Sequence, residues 1–223
     1  VDRANELKMD VIVTDHHLPG PVLPKACAVV NPNKGTCTSG LGYLSGTGVA
    51  FYLVLALKRA MVAKGLASEN SLEVKSLLDL FCIGTLTDMV PLIKENRILV
   101  RHGLSQLAKT KRPGFRALMA SLAFDGGPIS SMDVGFKIAP KLNALSRMDS
   151  NLKPIDLYQV GDLTLAKSWV QEVLETNDLR KSFQSMADKL ASEYLSANPV
   201  ENFVWLYSEQ IHRGIMGLVA TKV

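Results

Sequence analysis

From Thr164 to Ala197 the chain runs without a single Pro or Gly, and Ala, Leu, Val and Met recur along it at helical spacing. One long helix, or two in line, accounts for the stretch. An element of that reach is a natural connector between domains, so it divides the chain into a long N-terminal part and a short C-terminal one. After Asn198-Pro199, "NFVWLYSE" (202–209) reads as a strand and "RGIMGLVATKV" (213–223) as the opening of a helix. A strand and half a helix do not make a domain, and these residues read as the start of a second one.

The part before the connector alternates strand, loop and helix. Residues 2–8 form a short helical run, and Met9–Thr14 reads as a buried parallel strand, continuous and β-branched. A second strand is expected at Ala26–Val30, closed by the turn signals of "NPNKG". The Gly-rich "TSGLGYLSGTG" then leads into "VAFYLVLALKRAMVAKG", a mostly apolar helix that must be well buried. Ser71–Phe81 reads as a helix from a Ser cap with Glu73 in its first turn. "CIGTLTDMVPL" reads as another strand and loop, and "ENRILVRHGLSQLAKT" as an amphipathic helix stopped by Pro113-Gly114. The expected fold class is α/β: a parallel-sheet domain flanked by helices over residues 1–160, a connector helix over 161–198, and the beginning of a second α/β domain over 199–223.

Composition restricts function only loosely. Twenty-five basic residues against 21 acidic leave a charge of +4, which tolerates a polyanionic partner without demanding one. Cys27, Cys37 and Cys82 are odd in number and lack C-x-x-C spacing, so neither a disulfide framework nor a structural zinc site is indicated, and a reducing cytoplasm fits. No apolar run approaches the roughly 18 residues of a membrane span, and no signal-peptide pattern opens the chain. It begins at Val1, inside a helical pattern, and reads as a fragment.

Four stretches carry chemistry. Asp15, His16 and His17 stand consecutively just past the first strand, where open α/β sheets place their ligands. Imidazole beside carboxylate suits Mn, Fe, Co or Zn, although two histidines could equally cap the next turn. Asp88 reads as a second carboxylate at a strand end, or as a cap or turn residue; with the first group it offers a site assembled across adjacent strands. Asn143 and Arg147 lie four apart, so on a helix they share a face, and a phosphate is the natural target of their donors; pairing of Arg147 with Asp149 is the alternative. In "EQIHRGIMGLVA", His212 and Gly214 stand at a helix start whose exposed N–H groups favour an anion, or whose glycines serve close packing.

Taken in order, "VIVTDHHLPG…AVVNPNK", "LSGTGVAF", "GTLTDMVPL", "PKLNALSRM" and "HRGIMGLVATKV" resemble the motifs of the DHH phosphoesterase superfamily and, within it, the RecJ-type single-strand-specific exonucleases. The resemblance implies that His16 and Asp88 ligate one of two divalent metal ions, Mn or Mg. It implies that His17 hydrogen-bonds the scissile phosphate while Asp15 orients the histidines. Arg147 with Asn143 would hold a nucleic-acid phosphate, and His212 with the Gly214 helix start would grip the strand. The implied activity is metal-assisted hydrolysis of single-stranded DNA, 5′ to 3′, in repair or recombination, by a monomer that works beside a single-strand-binding protein or a helicase, with no membrane involved. The superfamily's Asp-rich motifs upstream of D-H-H and its later Gly-Gly-His motif are not in this sequence, so the parent is expected to be a nuclease and these residues alone to be inactive. A DHH phosphodiesterase for oligoribonucleotides or cyclic dinucleotides and a non-catalytic DHH scaffold are the other readings.

Overall fold

The computed structural model describes residues 1–124, 127–198 and 203–223. By contact the chain divides into two units, Val1–Thr110 with Gly126–Val134, and Lys111–Asp125 with Gly135–Val223.

The first unit opens with α1 (Asp2–Glu6), followed by two short β-branched runs, β1 (Ile12–Thr14) and β2 (Ala28–Val30), which pair in parallel with Ile12 opposite Ala28 and Thr14 opposite Val30. Both lie inside the predicted strands, but β1 is not buried: Ile12 is 63% exposed. A parallel strand is buried only when helices cover both faces of its sheet. α2 (Gly46–Ala63) packs on β1.

Ser45 caps α2 by accepting from the Gly48 N–H at 3.0 Å. Phe51 in its first half meets Phe81 edge-on at 5.3 Å, and these rings with Val100 are the unit's core. The second half departs from expectation. Only Gly48, Val49 and Phe51 of α2 are buried, and Leu57 is 55% exposed. By length and composition α2 could also cross a membrane, with a mean hydropathy of 1.4 over 18 residues. That corrects the expectation that no run reaches this length: Lys58 and Arg59 break the consecutive apolar count but not the average. One such helix is weak evidence, because apolar helices that pack in a protein core pass the same test.

The segment from Ser71 also differs from its reading. A 3₁₀ turn at Val74–Leu77 comes first, and α3 (Leu78–Thr87) then runs straight through "CIGTLT". The expected strand there does not form. Phe81, Cys82, Ile83 and Thr85 are all buried, and an apolar run covered all round suits a helix as well as a strand. Asp88 therefore stands at the C-terminal end of a helix. The helix α4 (Lys94–Leu107) packs on α3 at a distance that Gly103 permits: a Cβ there would lie 2.4 Å from the Leu78 carbonyl oxygen and 2.4 Å from Cys82 Cβ. Cys82, buried beside Asp79, has its thiol pushed up to about 12 by burial, and all three cysteines are free.

α4 ends at Leu107, before the Pro113-Gly114 pair expected to stop it, and that pair instead opens α5 (Pro113–Ser121) in the second unit, Pro113 standing in the first turn where its missing N–H costs nothing. The short α6 (Ser131–Asp133) belongs to the first unit, and a π-helical turn, Val134–Ile138, leads into α7 (Ala139–Arg147). Next come α8 (Pro154–Gln159) and α9 (Leu163–Ala197), whose 35 residues are unbroken as the sequence predicts. Asp162 caps α9, and Ala166, Val170, Val173 and Asn177 are buried at helical spacing, while α5 and α7 pack along it. Ala187 and Ala191 nearer its end form a cluster with Ile215 and Val219, the latter in α10 (Met216–Ala220). Burying Ile215 and Val219 is worth about 1.5–3 kcal/mol each.

No strand forms among residues 203–208, and Asn202 of the expected strand lies outside the described residues. The alternation is nonetheless there. Phe203, Trp205 and Tyr207 are exposed, whereas Val204 and Leu206 are half-buried, with Leu206 on the Ala187–Val219 cluster. A strand exists by pairing, and among the described residues this segment has no partner strand.

Candidate metal centre

Just past β1, the Asp15 N–H still donates to the Val30 carbonyl at 3.1 Å, so the ladder carries the chain to the first residue of the site. There the backbone turns around the Asp15 carboxylate. One oxygen accepts from the N–H groups of His16 at 2.7 Å and His17 at 3.2 Å and meets the His17 ring Nδ1 at 2.7 Å. Those bonds, the His17 ring first, hold the Asp15 carboxyl down to about 2. An ionised carboxylate only accepts, so the proton of the His17 ring sits on Nδ1 and its Nε2 edge is left to whatever approaches. The His17 side chain is 77% exposed.

His16 is the more buried of the two, its ring centroid 4.3 Å from that of His17. Its side chain is only 17% exposed, and its ring edge lies against Gly46 at the start of α2. His16 Nε2 approaches Asp88 Oδ2 to 3.4 Å. Two donors each about 2.1 Å from a common ion stand about 3.0–3.5 Å apart, so this pair fits one. Asp88 caps the C-terminus of α3, the end of a helix dipole that disfavours a carboxylate and favours a cation. The ligand atoms of Asp15, His16 and His17 also lie within 4.8 Å of one another. The donor set suits a divalent ion that accepts both nitrogen and oxygen.

The other predicted residues lie in the second unit. Asn143 is exposed on α7, and Arg147 at its end is half-buried, with Nη1 donating to the Gly214 carbonyl at 3.2 Å. The expected alternative for Arg147 does not arise, since Asp149 is held by Arg213 at 3.0 Å and lies 3.6 Å from His212 Nε2. His212 Nδ1 accepts from the Gly214 N–H at 3.0 Å, which puts the ring proton on Nε2, toward Asp149. Gly214 is needed here for close approach: a Cβ would sit 1.8 Å from the Arg147 carbonyl oxygen. Its N–H is thus engaged within the turn.

Residues 1–85, which include Asp15, His16 and His17, match the DHH family, N-terminal domain. The whole chain is 36% identical to the single-stranded-DNA-specific exonuclease RecJ of Dickeya dadantii and spans 40% of that protein. Against the RecJ of Bacillus subtilis the identity is 34% over 99% of the chain and 27% of the relative. A crystal structure of exonuclease RecJ bound to manganese superposes with a TM-score of 0.83 at 32% identity, over 99% of this chain and 53% of the other. Residues 1–85 are thus similar to the N-terminal domain of the DHH family. Along its full 223 residues the chain is similar to RecJ exonucleases.

The chain holds the Asp15–His17 loop with residues whose part in it the sequence does not announce. Buried Asn31 donates to the His17 carbonyl at 2.9 Å, and Asn33 donates to the His16 carbonyl at 2.6 Å. On the Asp88 side, Asn96 is fully buried and donates to the carbonyls of Tyr43 at 2.7 Å and Pro91 at 3.0 Å, tying the loop after Asp88 to the segment before α2. The "NPN" of the second strand's end was the only signal available, and it reads as a turn whether or not it supports a site.

Proposed function

We propose that the protein carrying this chain is a metal-dependent phosphodiester hydrolase, a single-stranded-DNA-specific 5′-to-3′ exonuclease of DNA repair and recombination. The observation that carries this reading is the 3.4 Å convergence of His16 and Asp88 beside a His17 whose proton is fixed by Asp15. The names of the relatives and the manganese bound by the similar structure support it. His16 and Asp88 would hold one of two divalent ions, Mn or Mg; such ions supply an activated water and neutralise charge on the phosphoryl oxygens. Asp15 orients both histidines, and the outward Nε2 edge of His17 reaches the scissile phosphate. Asn143, Arg147, His212 and Gly214 bear on the strand's backbone. On this reading residues 1–160 are the catalytic domain, 161–198 a connector and 199–223 part of a second domain. The protein is then a cytoplasmic monomer whose partners are single-stranded DNA and a single-strand-binding protein or helicase.

Two converging donors are fewer than the three or four that a catalytic ion needs. The 223-residue chain should therefore bind Mn weakly, with His16→Ala and Asp88→Ala each lowering the affinity at least about tenfold in calorimetric titration. It should not turn over labelled oligothymidylate, while the full-length protein should degrade the oligonucleotide in preference to dinucleotides. Mn binding that neither substitution weakens, or robust turnover by the chain alone, would overturn the assignment.

A further inference from the structure

His16 and Asp88 stand far apart in the chain, and one side chain spans the segments that carry them. Asn96, fully buried in the first turn of α4, gives its Nδ2 protons to the carbonyls of Tyr43 at 2.7 Å and Pro91 at 3.0 Å. Its Oδ1 is buried and has no partner among the described residues. A lone buried acceptor costs free energy, so the amide stands here for what it donates.

Each end of this bridge leads to a candidate ligand. From Tyr43 the chain reaches Ser45, whose hydroxyl caps α2 and lies 3.2 Å from Thr85 Oγ1 of α3, and then Gly46, against which the His16 ring rests. From Pro91 it runs back to Asp88 along a loop with little else to hold it. Met89, Pro91, Leu92, Ile93 and Lys94 are all exposed and Val90 is only half-buried, so packing does not fix the path. Met89 and Lys94, neither of them a glycine, bracket the loop with φ of 56° and 42°, a left-handed region that L-residues avoid. A strained, unpacked loop relaxes unless its surroundings restrain it. Lys94 and Glu95 strengthen the hold on Tyr43, the ammonium 5.6 Å from its ring centroid and the carboxylate accepting its hydroxyl.

We propose that Asn96 is a positioning residue for the metal ligand Asp88: by joining the Tyr43 and Pro91 carbonyls it fixes the strained loop after Asp88, and with it the 3.4 Å approach of Asp88 to His16. That role presupposes the metal site proposed above. Ion affinity then depends on a buried amide that acts only through Asp88.

The test is calorimetric titration of the 223-residue chain with Mn. Asn96→Ala should weaken binding about tenfold, as loss of a group that orients a ligand does. Leu107→Ala, which hollows the buried core about three turns farther along α4, should lower the melting temperature and leave the affinity alone. In an Asp88→Ala background Asn96→Ala should cost no further affinity, because it acts through that carboxylate. Should Asn96→Ala not fold, the parent chain decides. On titration with diamagnetic Mg, the side-chain amide signals of Asn96 should shift in step with the Asp88 backbone signal, while those of exposed Asn70 stay fixed. Full affinity in Asn96→Ala, an equal loss in Leu107→Ala, an additive loss in the double variant, or Asn96 signals indifferent to Mg would each overturn the positioning role. The metal site itself survives those results as long as His16→Ala and Asp88→Ala weaken Mn binding. If neither does, both readings fall.

Discussion

Asp149 shows how a single exposed carboxylate can order a turn. It accepts from Arg213 and faces the His212 ring, and these partners, Arg213 first, hold its carboxyl below the ordinary 3.8. A carboxyl lowered by folding stabilises the native turn fully above its unfolded value, and that contribution drains away as pH falls through the lower folded one. The amide signals of His212 and Gly214 should therefore shift cooperatively below about pH 4, and high salt should blunt the effect because the pair is exposed. A turn whose signals stay fixed through the acid range would show that Asp149 does not hold it. At this scale the sequence is readable where chemistry lies in adjacent residues, as at Asp15, His16 and His17. It is mute for Asn31, Asn33 and Asn96, whose partners are carbonyl oxygens that every residue possesses and that leave no mark in the sequence.

Among the elements, α3 matters most, because it brings Asp88 to His16. Its second half, from Cys82, carries β-branched residues and leads into a turn, so it reads as a strand, and only burial on all sides marks it as a core helix. α9 posed no such ambiguity: 35 residues without a breaker exceed anything a strand could use. The α3–α4 pairing depends on Gly103, whose missing Cβ leaves room for the Leu78 carbonyl. A backbone oxygen cannot rotate aside, so Gly103→Ala must push the helices apart. The expected cost is about 1–3 kcal/mol in urea unfolding. Because α3 ends at Asp88, the same variant should also lose Mn affinity, and a variant that kept both stability and affinity would show that helix spacing does not set the ligand position.

At the scale of the molecule, among the described residues, Phe51, Phe81 and Val100 form a core cluster in the first unit and Ala187, Ala191, Ile215 and Val219 one in the second. Residues 126–134 belong by contact with the first unit although α5 precedes them in the chain. Such a return changes neither composition nor hydrophobic period, so a linear reading that looks for a linker does not register it. The division into two units, with the candidate ligands of one ion, His16 and Asp88, in the first, makes a thermodynamic prediction. Calorimetric unfolding should resolve two transitions, and a ligand that binds only the native first unit should raise only that unit's transition. At a free Mn concentration 100 times the dissociation constant the gain is about 2.7 kcal/mol, and for a unit of this size each kcal/mol moves the midpoint by about 4–8 °C. The other transition should stay in place, and Asp88→Ala should abolish the shift. Two midpoints that climb together with Mn would mean that the units unfold as one, or that the ion binds elsewhere.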